Sequence, residues 1–151
     1  MIIKTSWEND MPLNELHIHA NLKNKKEVES ILLKIEKSQV LPLINPLNNR
    51  IVKVEINRIS SIESYTQSSI VRVSNEKQEY FIQKRLKELD YLNQYGLFRV
   101  NNSVMVNLAD VQSFQVIENA RLEVSTVDNR SYIVSRHYAK KIKEELSCSN
   151  I

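Results

Sequence analysis

The sequence predicts a mainly β domain with a few short helices, preceded by a small strand–helix appendage. Three observations carry this expectation. From Arg50 onward, short apolar runs, several alternating with polar residues, recur between polar clusters rich in Ser, Asn and Asp, the pattern of strands joined by tight turns. Apolar residues at helical spacing are confined to three stretches, near residues 28–35, 86–92 and 138–146. Residues 38–49 (SQVLPLINPLNN) hold two prolines and three asparagines. Proline restricts the residue before it and cannot continue a ladder, so this stretch reads as a connector. The expected organisation is an appendage over residues 1–45 and a β-domain over residues 46–151.

Taken in order, Glu15 to Ala20 (ELHIHA) sets Leu16, Ile18 and Ala20 against Glu15, His17 and His19, a period-2 pattern that predicts a strand. Asn24 stands as a helix N-cap with Glu27 in the capping-box position, and Val28, Ile31, Leu32 and Ile35 form an apolar stripe on a helix from about Lys25 to Lys37. Ile51, Val52, Val54 and Ile56 predict the first strand of the β-domain. Strands follow at 61–66 and 70–73, then a turn at Ser74-Asn75-Glu76-Lys77 into a strand at 79–83. A helix from about Lys84 to Gln94 buries Leu86, Leu89 and Leu92. Residues 98–108 are a compact mixed segment, with Phe98, Val104, Val106, Leu108 and Val111 as core candidates. Strands at 111–117 and 122–127 flank a turn at Glu118-Asn119-Ala120. Asp128-Asn129-Arg130 leads to a strand at 132–134, and Ser135 caps a last helix to about Leu146, with Tyr138, Ile142 and Leu146 facing the core.

A chain of 151 residues can bury a core without disulfides or metal. The single cysteine, Cys148, has no intramolecular partner and gives no sign of secretion. The N-terminus lacks a signal-peptide pattern, and no apolar run approaches the ~20 residues that span a bilayer, so the chain is expected to be cytoplasmic. Net charge is +3, distributed unevenly: in residues 1–49 six lysines balance six acidic residues, while residues 50–151 carry fifteen Lys/Arg against twelve Asp/Glu. The excess is a mild pointer to an anionic partner.

Gly96 is the only glycine. Phosphate-cradling loops need several, so neither a nucleotide-dependent enzyme nor a cofactor is expected. His17 and His19 share a strand face at a spacing two metal ligands could use. Without a cysteine or third histidine nearby the ordinary reading is a solvated face, and no metal is expected. No Ser-His-acid or paired-carboxylate arrangement stands out, and an enzyme is not expected. The informative signals are cations where stability disfavours them. A helix N-terminus is electropositive, yet the last helix opens Ser135-Arg136-His137 and continues with Lys140, Lys141 and Lys143, and Lys84 and Arg85 open the middle helix. Such groups make a phosphate site at some cost in stability, and ordinary solvated residues are the other reading.

From Arg50 to Leu146 the chain resembles the LytTR family of DNA-binding domains, in content and in order. ISSIESYTQSSIVRV is similar to the family's early strand pair, with a Glu-Ser step followed by a polar loop. YFIQKRLKELDYL resembles its strand and short LKEL helix. FRVNNSVMVNLADVQSF is the strongest match, similar to the signature Phe–Arg–x–His–x–Ser–x–x–Val–Asn. YIVSRHYAKKIKEEL resembles the closing Val–Ser–Arg–x–Tyr helix. The resemblance implies a β-rich, sequence-specific DNA-binding transcription regulator that reads successive major grooves with loops and helix N-termini. It also implies double-stranded DNA with promoter repeats as the partner, and a homodimer on repeated sites.

By the same resemblance, contacts come from the polar loop, where Ser69 stands at a position often held by histidine. They come also from the signature segment, with Arg99, Asn101, Asn102 and Ser103, and from the start of the last helix, with Arg136 and His137. Arg136 suits guanine O6 and N7 and Asn102 an adenine edge, while Lys84, Arg85, Lys140 and Lys141 suit phosphates. Asn101, like Ser69, replaces a frequent histidine, which bears on base preference. Asn107 reads as structural, bonding backbone in a turn.

Residues 1–49 are too short for the receiver domain often fused to this family, so a stand-alone regulator is expected. Its appendage would dimerise or bind an inhibitor, and stand-alone members are often paired with a small inhibitory membrane protein. The rival reading is a protein-interaction module or antagonist on a LytTR-like scaffold that no longer binds DNA, which the neutral Ser69 and Asn101 favour and the retained Asn102 and Arg136 oppose. RNA binding would use exposed aromatics on a sheet, such as Tyr65, Tyr80 and Tyr132, but no RNP-like motif is present. No small-molecule substrate is expected.

Overall fold

Most of the alternating runs become strands because each finds a neighbour to pair with. The computed structural model describes residues 2–13, 15–36 and 39–148, and its contacts divide the chain into two compact units, residues 1–33 and 34–151.

In the first unit a 3-10 turn, Leu22–Asn24, leads into helix α1, Lys25–Glu36, whose last three residues belong to the second unit. The N-cap expected at Asn24 is moved by this turn. Asn21 takes the role, its Oδ1 accepting the Lys23 N–H at 2.9 Å. Lys37, the expected helix end, lies outside the described residues. Glu15 to Ala20 is not a strand. Alternation settles which side chains would share a face, but a strand exists only through ladder bonds to a neighbour, and none of the described residues supplies one. Leu16 and Ile18 are consequently exposed, at 80% and 48%. His17 Nε2 lies 2.9 Å from Glu15 Oε2. On α1, Val28 and Leu32 are half-buried and Ile31 and Ile35 are exposed.

The second unit holds two sheets. Strands β1 (Val40–Ile44), β2 (Ile51–Glu55), β3 (Ile59–Tyr65), β4 (Ser68–Val73), β5 (Glu79–Ile82), β6 (Leu97–Arg99) and β7 (Val104–Asn107) form a seven-stranded sheet in the order β2-β1-β5-β4-β3-β7-β6. Strands β8 (Val111–Ile117), β9 (Arg121–Thr126) and β10 (Ser131–Val134) form a three-stranded sheet in the order β10-β9-β8. Helix α2, Arg136–Cys148, closes the chain. All neighbouring pairs are antiparallel.

Strand β1 corrects the reading of residues 38–49 as a connector, and it lies before residue 46, where the β-domain was expected to start. Leu41 and Leu43 are buried on either side of Pro42, which stands in register with Lys53. β5 borders β1 only at Ile44↔Phe81. Most of that flank therefore asks for no donor, the edge-like setting in which a strand tolerates proline.

Two apolar clusters fill the unit, and β7 serves both because successive side chains point to opposite faces. Met105 joins the cluster of Leu43, Ile59, Ile62, Val71, Leu89, Leu92 and Leu97. Val106 joins the second, with Val100, Leu122, Val124, Val134, Ala139, Ile142 and Leu146. Phe98, Val104, Leu108, Val111 and Tyr138 pack half-buried against the second cluster. The expected middle helix is a 3-10 helix, Leu86–Tyr95. Leu86, Leu89 and Leu92 recur every third residue, which on three residues per turn gives one straight buried stripe. Gly96 ends it at φ 95°, its N–H donating to Asn93 O, a left-handed conformation that needs no Cβ. Asparagines occupy most of the other left-handed turn positions, at Asn49, Asn75, Asn119 and Asn129, and Asn119-Ala120 joins β8 to β9 with two successive positive φ values, 61° and 58°.

Candidate nucleic-acid interface

The loop between β6 and β7 and the start of α2 are joined by backbone chemistry. Ser135 N–H donates to Val100 O at 2.8 Å. Asn101 folds inward, its Nδ2 donating to Ile133 O at 3.0 Å and its Oδ1 accepting the Ser103 N–H at 2.8 Å. Ser64 N–H donates to Ser103 O at 2.8 Å, tying the far side of the loop to β3. Asn102 and Ser103 are left exposed at the tip, beside the first turn of α2.

That first turn holds no acidic residue. Arg136, His137, Lys140 and Lys141 are all exposed, and none of Arg136, Lys140 and Lys141 has an ion-pair partner among the described residues. Their buried counterparts explain the arrangement: Ala139, Ile142 and Leu146 point into the second cluster, which turns the cations outward on the helix. The Ser135 carbonyl accepts the N–H groups of Tyr138 and Ala139 at 3.0 Å, fixing where the helix begins.

Between α2 and β6 lies a cleft of about 420 Å³ lined by Asp90, Asn93, Phe98, Arg99, His137, Tyr138 and Lys141. Lys141 Nζ sits 5.4 Å from the Phe98 ring centre and the Arg99 guanidinium 5.8 Å from that of Tyr138, cations over aromatic faces. The His137 ring meets Tyr138 edge-on at 4.7 Å. Arg99 also donates to Asn102 O at 3.1 Å and faces Asp90 at 3.8 Å. It therefore holds the loop as well as contributing charge.

Seven of the residues singled out in the sequence thus gather in one place: Arg99, Asn101, Asn102, Ser103, Arg136, His137 and Lys141. Lys140 is on the same helix. Lys84 and Arg85 are exposed at the entry to the 3-10 helix, whose Glu88 accepts the Arg85 N–H at 2.8 Å, and no ion pair or ring contact among the described residues joins them to the others.

Ser69 is placed differently from expectation. It is fully buried, and its Oγ donates to Lys84 O at 2.7 Å. It holds the backbone that presents Lys84 and Arg85 and offers no surface to a ligand. The exposed residues of the polar loop are Ser64, Tyr65, Thr66 and Gln67, with Thr66 at φ 52°. Parity in the sequence carried this signal: Ser69 shares the period of Val71 and Val73, both buried. Asn107 is structural as expected. It is buried, donates to Ile59 O at 3.0 Å and accepts from Ala109 N–H at 3.0 Å.

A second cleft, of about 510 Å³, separates the 74–79 turn from Asp110 and residues 127–130. Its charges are of both signs and mostly satisfy one another, with Arg72 2.8 Å from Glu63 and 2.9 Å from Glu79, and Arg130 3.3 Å from Asp128. Burial, and then the nearby Asp128 charge, push the Asp110 carboxyl above its ordinary range. Among the described residues no helix is long and apolar enough to cross a membrane.

A family model described as the LytTr DNA-binding domain matches residues 49–147. The chain is 31% identical over 127 residues to an uncharacterized response regulatory protein of Vibrio cholerae serotype O1, a match covering 80% of this chain and 53% of that protein. It is 25% identical over 139 residues to the transcriptional regulatory protein BtsR of Escherichia coli K12, covering 89% of this chain and 57% of BtsR. The chain thus spans about half the length of the curated relatives it matches. Among solved structures, the LytTr DNA-binding domain of a Bacillus cereus protein superposes with a TM-score of 0.61 at 18% identity, over 71% of this chain and 95% of that one, a likeness of fold. With the family match running from β2 through α2, the chain belongs to the LytTR family of DNA-binding domains.

Proposed function

We propose that this chain is a sequence-specific regulator of transcription that binds double-stranded promoter DNA, as a dimer on repeated sites. The observation that carries the reading is the junction of the 100–103 loop with α2. Bonds from Ser135 to Val100 and from Asn101 to Ile133 tie together the segments that carry two exposed residues: Asn102, whose amide suits an adenine edge, and Arg136, whose guanidinium has no ion-pair partner among the described residues and suits guanine. Lys84, Arg85, Lys140 and Lys141 supply the phosphate contacts that set register. Asn101, turned inward, shapes the loop; Ser103 and His137 flank the base-reading pair. The reading involves no reaction, cofactor or metal. The relatives' names, a transcriptional regulatory protein and a response regulatory protein, point the same way.

Residues 1–45 serve in this reading as a dimerisation or regulatory segment. Ile3, Trp7, Leu13 and Leu16 are each at least 80% exposed, an apolar surface that suits a protein partner, including an inhibitory membrane protein.

The test is a binding titration against genomic promoter fragments with wild type, Asn102→Ala and Arg136→Ala. Selective binding to a few fragments is expected, and each substitution costs ~1–3 kcal/mol of specific affinity. Folded protein that binds all fragments equally weakly would point to an interaction module on the same scaffold instead. Selective binding unchanged in both variants would overturn the residue assignment.

A further inference from the structure

Strand β8 is an edge with none of the usual protection along most of its length. Its seven residues, VQSFQVI, include no charge and no proline, and Gln112 to Val116 are all exposed. Phe114 is 37% and Val116 62% exposed. Natural edges are blunted by lysine, proline or a bulge, since an open apolar edge is a template for another strand. The one bulge in β8 falls between Val111 and Ser113, so Ser113 to Ile117 run regular and open. The opposite edge of the same sheet differs: the Ile133 carbonyl of β10 is taken by Asn101.

We propose that β8 is the seat of dimerisation, pairing antiparallel with β8 of a second copy about a two-fold axis at Gln115. The proposal rests on the reading of this chain as a dimer on DNA and says which surface makes it. Register and charge favour this occupant. With Gln115 opposite its counterpart, Phe114 faces Val116 of the other copy twice, Ser113 faces Ile117, and Gln112 faces Glu118, so no like charges oppose one another. Phe114 stands in register with Val124 and Val116 with Leu122, and both β9 partners are buried in the cluster under α2. Side chains opposite each other share a face, so self-pairing extends that cluster across the axis and covers its open end.

The joined sheet has six strands, β10-β9-β8 and the same in reverse. At ~4.8 Å per strand its outer strands lie about 24 Å apart. The 100–103 loops, bonded to Ile133 of β10 and to Ser135 just after it, lie at the two ends of the joined sheet.

The test is the oligomeric state of the full chain without DNA, by light scattering and sedimentation equilibrium across micromolar concentrations, which is independent of whether DNA binds. Wild type is expected to be dimeric. Val116→Lys, at an exposed position, is expected to raise the dimer dissociation constant at least about tenfold with its circular dichroism unchanged. Gln115→Cys in a Cys148→Ser background is expected to give a disulfide-linked dimer under mild copper–phenanthroline oxidation. Monomeric wild type, a Val116→Lys dimer as tight as wild type, or no cross-link through Cys at 115 would each overturn the proposal. A dimer with these properties that binds no promoter fragment would sink the DNA reading and leave the interface standing.

Discussion

A single amide joins the two faces of the core. Asn107 is 3% exposed and satisfies the Ile59 carbonyl and the Ala109 N–H at once, while its neighbours Met105 and Val106 serve different apolar clusters. Buried backbone groups deprived of a partner cost their desolvation. Asn107→Ala is therefore expected to lower stability by ~1–3 kcal/mol, read as a drop in the urea midpoint with an unchanged slope; a change within half a kcal/mol would mean that water replaces the amide at no cost. The role was legible in the sequence because a polar residue at the end of an apolar strand and before a turn has few other uses. Ser69 shows the opposite case. The family resemblance implied a contact there, but the two-residue turn at Thr66-Gln67 puts it on the inward period of β4, and the strand's parity decided its role.

At the scale of elements, pairing decides what alternation only suggests. Residues 15–20 alternate well and find no partner, whereas residues 40–44 contain a proline and still pair with β2 through every residue. Neither outcome is a property of the segment alone, since both depend on which strands lie alongside. The helices were more readable because their bonds are internal. Helix α2 also carries a conflict visible in the sequence: Arg136 and His137 occupy a first turn that prefers acids. Replacing Arg136 by alanine removes that repulsion and introduces a better helix former. Arg136→Ala is thus expected to melt at the wild-type temperature or slightly above it, by up to ~1 kcal/mol in stability, while losing DNA affinity. A melt several degrees lower would show that Arg136 is structural, and its loss of binding would then say nothing about base contact.

For the whole molecule, placement of charge outweighs its amount. A net charge of +3 is small, but Arg136, Lys140 and Lys141 stand exposed and unmatched by any acidic partner among the described residues, on the helix that begins at the 100–103 loop. The sequence showed these cations and their periodicity. Their meeting with the loop was beyond it, because Val100 and Ser135 are far apart in the chain and are joined only by the fold. Binding that depends on such groups releases counterions in proportion to the phosphates neutralised, about 0.9 per contact on B-DNA. Lys140→Ala and Lys141→Ala should each weaken binding by a similar factor on every fragment and reduce the log affinity against log salt slope by about 1. Arg136→Ala should instead narrow the gap between the preferred fragment and the rest. Slopes identical to wild type in both lysine variants would place α2 away from the phosphates, and DNA would then have to meet the chain through Lys84, Arg85 and the Thr66-Gln67 turn.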